Sequence, residues 1–511
     1  MTPHSLPTFA FWARTDYDRV AMIGPDGAEH RVFEVQATAN RLARNLLALG
    51  CQPGDAVAVS LHNTPEILTL ALATAQVGLY LVPISWHLAA RELAHILSDS
   101  GARILICDAE VAARCSRGLV PLYVPGGAPG CHDLVELSAG DAAPPDSRTA
   151  GGVMTYTSGT TGLPKGVRRP LPPAPPEPVA SAYAMFLLMY GMKPDEGVHL
   201  VVSPLYHTAV LYFATSALHL GHQVVVMDAW TPEGMLQRVE QFRVTSSHMV
   251  PTQFVRLLDL PNRLDFDTSS LRHMVHSAAP CPVPVKHAML QWWGPCIYEY
   301  YAASEGGGTM VRPDEWLARP GTVGRPWQTA EIAIFDDSGH RLGPATIGTV
   351  YIKMAQAFVY HRDTEKTEKA WRTDGYFTVG DAGYLDTDGY LFLCDRKADM
   401  IISGGVNIYP AEIESVLSAH PRVLDIAVFG IPDARWGEQV KAVVETKGGV
   451  PAAGEAEALA AELTAWCKER VAGFKCPRSF EFVASLPREP NGKLKKRLLR
   501  DPYWKDTGRS I

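Results

Sequence analysis

Apolar and polar positions alternate between two periods along the first hundred residues. Over 31–50 the apolar positions Val32, Phe33, Val35, Ala37, Leu42, Leu46 and Leu47 fall at helical spacing, and Gly50 marks the stop. Residues 56–61 form a continuous apolar run of strand length, a helix is expected from about Pro65, and 80–84 reads as the next strand. A helix over 89–97 and a short apolar strand over 104–107 extend the series. Strand, helix and strand in this rhythm predict an α/β sheet with crossover helices.

Residues 125–148, rich in Gly, Pro, Ala and Asp, mark a surface connection. Residues 171–178, LPPAPPEP, are expected to be neither helical nor central strand, because proline lacks the N–H both need. A helix over 179–190 and strands over 198–202, 223–227, 246–250 and 273–278 resume the α/β pattern. Turns and strands around 323–326 and 348–350 belong to a smaller β-rich subdomain, and a helix over 410–417 with strands from 425 and from 437 forms a last unit.

Length changes the picture next: 511 residues exceed one ordinary core, so more than one domain is expected. A formal charge of -7 argues against sequence-wide attraction to nucleic acid. Nine cysteines without a CxxC pair read as reduced thiols in the cytoplasm. The first residues lack a signal-peptide pattern, and Gln76, Gly78 and Pro83 interrupt the most apolar window, so no membrane segment is expected.

The richest chemistry lies at 155–166, TYTSGTTGLPKG. Glycines let backbone N–H groups approach an anion, the hydroxyls of Thr157, Ser158, Thr160 and Thr161 add donors, and Lys165 adds a charge. The spacing is not GxxxxGK[ST], which argues against kinase and GTPase chemistry. Three more blocks follow in order: AAPCP at 278–282, YYAASEGGG at 300–308, and GD…DRKAD…SGGVN from Gly380 onward, with NGK at 491–493 near the end.

TSGTTGLPKG and these blocks resemble the motifs of the adenylate-forming superfamily of acyl- and aryl-CoA synthetases, luciferases and peptide-synthetase adenylation domains. The resemblance implies a large amino-terminal domain of α/β layered sheets plus a β-rich subdomain, over 1–395, and a small mobile α+β lid over 396–511. It places ATP on Thr157, Ser158, Gly159, Thr160, Thr161, Gly162 and Lys165, with adenine against Ala278, Ala279, Pro280 and Tyr301. Ser304 takes phosphate, Asp381 the ribose, Arg396 ribose or phosphate, and Glu305 the Mg ion. Lys493 is the lid lysine of adenylation; with Glu305, Thr161 and Lys165 it completes the implied catalytic set.

His207, in PLYHT at the carboxyl end of a strand, gates the acid pocket by the same resemblance, with Ala302 and Ala303 beside it. Ala302 stands where the family has glycine, and Ala398 where its hinge is Asp or Lys. Gly404, Gly405, Trp436, Phe474 and Lys475 are the thiol-side candidates. For the remaining basic positions between Lys493 and Arg500 a solvated helix face is expected.

The implied activity converts an apolar carboxylic acid, whether fatty, aromatic or polycyclic, to its CoA thioester through acyl-AMP, with ATP, Mg and coenzyme A. Delivery to a carrier protein and a non-catalytic nucleotide-binding regulator are the alternatives. The sequence leaves a homodimer open.

Overall fold

In the computed structural model the described residues are 6–116, 118–157, 164–303, 305–354, 358–396, 399–489 and 492–505. Among them, two large sheets organise the amino-terminal part. One is six-stranded and wholly parallel, ordered His132–Asp133, Leu122–Val124, Ala102–Cys107, Ala56–Ser60, Tyr80–Pro83 and Gly152–Val153. The other runs Arg325–Pro326, Gly306–Val311, Ile297–Ala303, His273–His276, Ser246–Met249, Val198–Val201, Gln223–Val226, Val20–Ile23 and Glu29–Arg31. Its pairings are parallel except at the two edges.

The helices Pro65–Ala75 and Thr208–His219 are apolar almost all round, the composition of a helix with protein on every side. They tie the sheets together: one core joins Val57 and Val59 of the first sheet to Val224 and Val226 of the second through Ile67, Leu70, Phe213 and Ala217.

A five-stranded β-rich sheet is built from Ala330–Phe335, Gly348–Met354, Asp381–Leu385, Leu391–Arg396 and Tyr376–Phe377. Three strands, Thr155–Thr157, Lys165–Arg168 and Val359–Tyr360, form a small sheet of their own. The carboxy-terminal unit has a long hairpin, Val423–Asp433 against Gly437–Thr446, flanked by Ile401–Ser403, Val406–Ile408 and Ser479–Val483 and covered by Pro410–Ser418 and Ala453–Lys468.

Two expectations need correction. The proline-rich stretch is partly helical: Pro176 opens the helix Pro176–Leu188, because the first helical turn has no partner for an N–H and tolerates its loss. The basic segment near the end is not a uniformly solvated face. In the helix Lys496–Trp504, Lys496 Nζ lies 2.8 Å from Glu414 and Arg500 lies 3.4 Å from Asp399, each side chain largely buried. All nine cysteines are free. No helix of the described residues is long and apolar enough to cross a membrane.

Candidate functional site

The strand Thr155–Thr157 pairs antiparallel with Lys165–Arg168, Thr157 opposite Lys165, so the two described ends of the anion-shaped segment stand side by side. Ser158, Gly159, Thr160, Thr161 and Gly162 lie outside the described residues, as do Ser304 and Ala398. Lys165 itself is placed: its Nζ stands 2.7 Å from Asp363 Oδ2. Asp363 arrives there because Val359–Tyr360 is the third strand of the same small sheet, and its other carboxylate oxygen accepts from Lys366 N at 3.0 Å.

Glu305 immediately precedes the strand Gly306–Val311, which returns antiparallel to Ile297–Ala303, and is 8% exposed. Its Oε1 accepts from the Tyr360 hydroxyl at 2.6 Å. Lys366 Nζ sits 3.8 Å from the Tyr360 ring centroid. Desolvation and then Lys165 push the Lys366 pKa down, while Glu305 and Asp363 oppose them. Two ammonium groups and two carboxylates therefore converge beside the start of the Lys165–Arg168 strand. One buried carboxylate suits a Mg ion that takes most of its remaining oxygens from substrate phosphates and water.

A second corner forms at the sheet junction. Tyr301 donates to Asp381 Oδ2 at 2.5 Å, and Arg396 Nε lies 3.5 Å from Asp381 Oδ1, the two residues being direct partners across adjacent strands. Burial raises the Asp381 pKa, against the stabilising charges of Arg396 and Lys493 and the Tyr301 hydrogen bond. Lys493 shares the electrostatics of this corner: burial first, then Arg396, lowers its pKa, with Glu489, Asp381 and Asp399 holding it up.

The turn carrying Lys493 is fixed on both sides. Glu489 N donates to Lys493 O at 2.8 Å. Arg488 donates to Gly492 O at 2.6 Å while gripping both oxygens of Asp425 at 2.6 and 2.7 Å. Gly492 has φ 80°, and a Cβ there would come within 2.4 Å of Thr252 Oγ1, so the lid turn rests directly on the large domain. A further cross-domain pair, Lys447 with Asp259 at 3.3 Å, holds the same arrangement.

Ala278, Ala279 and Pro280 follow the strand His273–His276 at its carboxyl end, where open α/β sheets place ligands. Ala278 adopts φ 72°, a left-handed conformation that costs an alanine about 1 kcal/mol or more. Its neighbour Ser277 and Tyr300 both reach His248 Nε2 at 3.0 Å, which links this loop to the Tyr301 strand. Burial lowers the His248 pKa to about 3, so the bridging ring is neutral. Beneath lies a buried pair, Lys286 Nζ with Glu299 Oε2 at 2.5 Å.

His207 precedes the helix Thr208–His219, its ring centroid 4.4 Å from that of Tyr206. Burial lowers its pKa to about 4, leaving a neutral ring suited to an apolar neighbour and not to a charge-bearing role. Ala302 pairs with Gly308 and Ala303 with Gly306 in the hairpin, and a Cβ on Gly308 would meet Tyr301 O at 2.2 Å.

Of the thiol-side candidates, Gly404 and Trp436 meet directly. Gly404 and Gly405 make the tight turn between Ile401–Ser403 and Val406–Ile408, with Gly404 N donating to Trp436 O at 2.8 Å. A Cβ on Gly404 would lie 2.8 Å from the Trp436 ring. Trp436 and Phe474 are 37% and 52% exposed, so both rings are open to solvent. Arg435 and Arg478 stand 4.9 and 5.3 Å from the Trp436 ring centroid. Lys475 is paired with Glu412 at 2.7 Å.

Sequence reasoning missed Tyr360, Asp363, Lys366, Arg488 and His248. Each acts across the fold on a motif residue and belongs to no motif of its own; only the proximity of Arg488 to NGK offered a signal.

Comparison with known proteins agrees with this architecture. The AMP-binding enzyme family matches residues 9–359, and the AMP-binding enzyme C-terminal domain matches residues 412–493. A feruloyl-CoA synthase from Amycolatopsis sp is 35% identical over 472 residues, covering 91% of this chain and 92% of that protein. A fatty acid–[acyl-carrier-protein] ligase, ScoC, from Streptomyces coeruleorubidus is 31% identical over 508 residues, covering 94% and 92%. The crystal structure of ATP-bound MatB from Rhodopseudomonas palustris superposes with a TM-score of 0.84 at 29% identity, covering 98% of this chain and 100% of that one. The chain belongs to the adenylate-forming superfamily of AMP-binding enzymes. Within it the chain is an ATP-binding, adenylate-forming ligase whose relatives include CoA ligases and an acyl-carrier-protein ligase.

Proposed function

We propose that this protein is an acid–thiol ligase that activates an apolar carboxylic acid as its acyl-adenylate and passes the acyl group to coenzyme A. The observation that supports the reading is the charge coupling of Lys493 to Asp381 and Arg396, whose corner Tyr301 completes. A carboxylate resists nucleophiles because it is negative and its leaving group is poor. Joining it to AMP removes both obstacles.

The acid is already ionised at neutral pH, so the first step needs no general base, and positioning and charge are the whole task. Asp381 and Arg396 hold the ribose, with Tyr301 against adenine beside Ala278, Ala279 and Pro280. Lys493 bridges the acid carboxylate and the α-phosphate. Lys165 steadies the departing pyrophosphate, helped by the Thr157–Gly162 hydroxyls and N–H groups. Glu305, oriented by Tyr360, is the side chain that would hold Mg, which when bound neutralises phosphate charge. His207, Ala302 and Ala303 shape the acid pocket.

Thioester formation then needs the thiol to reach the adenylate. We assign Gly404, Gly405, Trp436, Phe474 and Lys475 to that approach, and residue 398 to the hinge at the division between 1–395 and 396–511. Reduced cysteines and the use of ATP and CoA fit a cytoplasmic setting. The carrier-protein reading is supported by ScoC, which matches nearly the whole chain. The deciding experiment measures AMP and pyrophosphate release with Mg-ATP over a panel of fatty, aryl and polycyclic acids, each with and without CoA. Stoichiometric CoA thioester upholds the ligase reading. Adenylate formation indifferent to CoA transfers the assignment to a carrier protein.

A further inference from the structure

A cavity of about 70 Å³ lies at the carboxyl end of the helix Thr208–His219, walled among others by Phe9, Leu72, Gln76, Arg148, Ala180 and His219. His207 stands at the opposite end of that helix, about 18 Å away at the helical rise per residue. None of the lining residues is assigned above to nucleotide, acid or thiol.

Backbone fixes the walls. Thr149 N donates to Gln76 O at 3.2 Å and Gly151 N to Ala75 O at 2.9 Å, which holds the lining stretch from Arg148 to Gly151 against the end of the helix Pro65–Ala75. Ala150 N donates to Ala174 O at 2.9 Å, and Arg148 Nη1 lies 2.5 Å from Glu177 Oε1, so the same stretch is tied to the helix Pro176–Leu188 that carries Ala180. Phe9 closes another side, its N donating to His219 Nδ1 at 3.2 Å. Burial lowers the His219 pKa to about 4, so that ring brings no charge.

Two polar atoms in this otherwise mostly apolar wall are left over. Gln76 is 4% exposed; its Nε2 donates to Ala39 O at 3.3 Å, and its Oε1, buried, has no hydrogen-bond partner among the described residues. Arg148 Nε is buried and without a partner in the same way, while Nη1 serves Glu177. The cavity therefore offers one acceptor and one donor beside hydrocarbon, the complement of a hydroxyl on an apolar body. A buried polar atom gains more from a partner than an exposed one, because the cost of desolvating it has already been met. One water needs about 10–15 Å³, so the space takes a molecule of roughly five non-hydrogen atoms. We propose that this cavity is a separate small-molecule site for a short aliphatic alcohol, whose O–H donates to Gln76 Oε1 and whose chain lies against Phe9, Leu72 and Ala180.

The test compares two isomers, butan-1-ol and 1-methoxypropane, which have the same atoms and differ in that the ether has no O–H to donate. Saturation-transfer NMR titrations give the Kd of each for the full chain and for its Gln76→Met and Ala180→Phe variants, with melting temperature followed in parallel. The native protein is expected to bind the alcohol about fivefold or more tightly than the ether. Gln76→Met should bring the alcohol down to the ether's affinity, and Ala180→Phe, which fills the space without touching either polar atom, should abolish binding of both. Equal affinity of the two isomers for the native protein, no binding of either, or alcohol binding that survives Ala180→Phe overturns the proposal. Should Gln76→Met fail to fold, the native isomer ratio and Ala180→Phe decide it alone.

Discussion

Lys165 Nζ stands 2.7 Å from Asp363 Oδ2, a contact between the hairpin of the anion-shaped segment and a residue nearly two hundred positions later. Asp363 fixes the lysine assigned above to the first half-reaction and touches nothing assigned to the second. Asp363→Asn should lower ATP–pyrophosphate exchange by about tenfold, the scale of a misplaced positioning group. Thioester formation from supplied acyl-adenylate should be unchanged. Equal rates of exchange would mean that the strand alone holds Lys165.

Lys493→Ala should reduce adenylate formation by about two to three orders of magnitude, as loss of a preorganised charge partner does, while sparing the thiol step. Arg488→Ala should act in the same direction but less, because it frees the Gly492–Lys493 turn without removing the charge. Hydroxamate trapping of the adenylate compares the two. Intact trapping in Arg488→Ala would assign the turn's rigidity to Thr252 and its other contacts.

Burial raises the Asp381 pKa, so the folded chain binds that proton more tightly than the unfolded chain does. The sign follows: ionised Asp381 penalises the fold at neutral pH, and the penalty fades as pH falls through the raised value. Asp381→Asn should therefore melt higher than the native protein at pH 7, with the gap closing toward pH 4, yet bind ATP more weakly. Thermal melts at several pH values and ATP titration read both effects.

Lys286 and Glu299 form a buried pair near the loop of Ala278, Ala279 and Pro280. Lys286→Met strands a carboxylate and should cost about 3 kcal/mol or more in denaturant unfolding. Adding Glu299→Gln should recover much of that loss. Additive losses in the double variant would show that the two residues do not act as a pair.

The large α/β architecture was legible because continuous apolar runs such as 56–61 and helical spacing over 31–50 survive into the fold almost unshifted. Helix onset at Pro176 was not, since proline reads as a breaker unless its place in the first turn is known. Tyr301, Asp381, Arg396 and Lys493 were legible from motifs and do converge. Tyr360 and Asp363 were invisible because their meaning lies in distant partners: Glu305 and Lys165 become their neighbours only after strands pair, and Arg488, though close to NGK, finds its partner Asp425 in the same way. The basic run near the end misled for the same reason, as Glu414 and Asp399 cover two of its charges.

Arg488 ties the Lys493 turn to Asp425 near one end of the lid's long hairpin, while Trp436 occupies the tight connection at the other. The span between them is roughly 25 Å of strand at the usual rise per residue. On the roles proposed for Lys493 and Trp436, these are two tools mounted at opposite ends of one stiff arm, and the length of a hairpin would then set the order in which they reach the nucleotide.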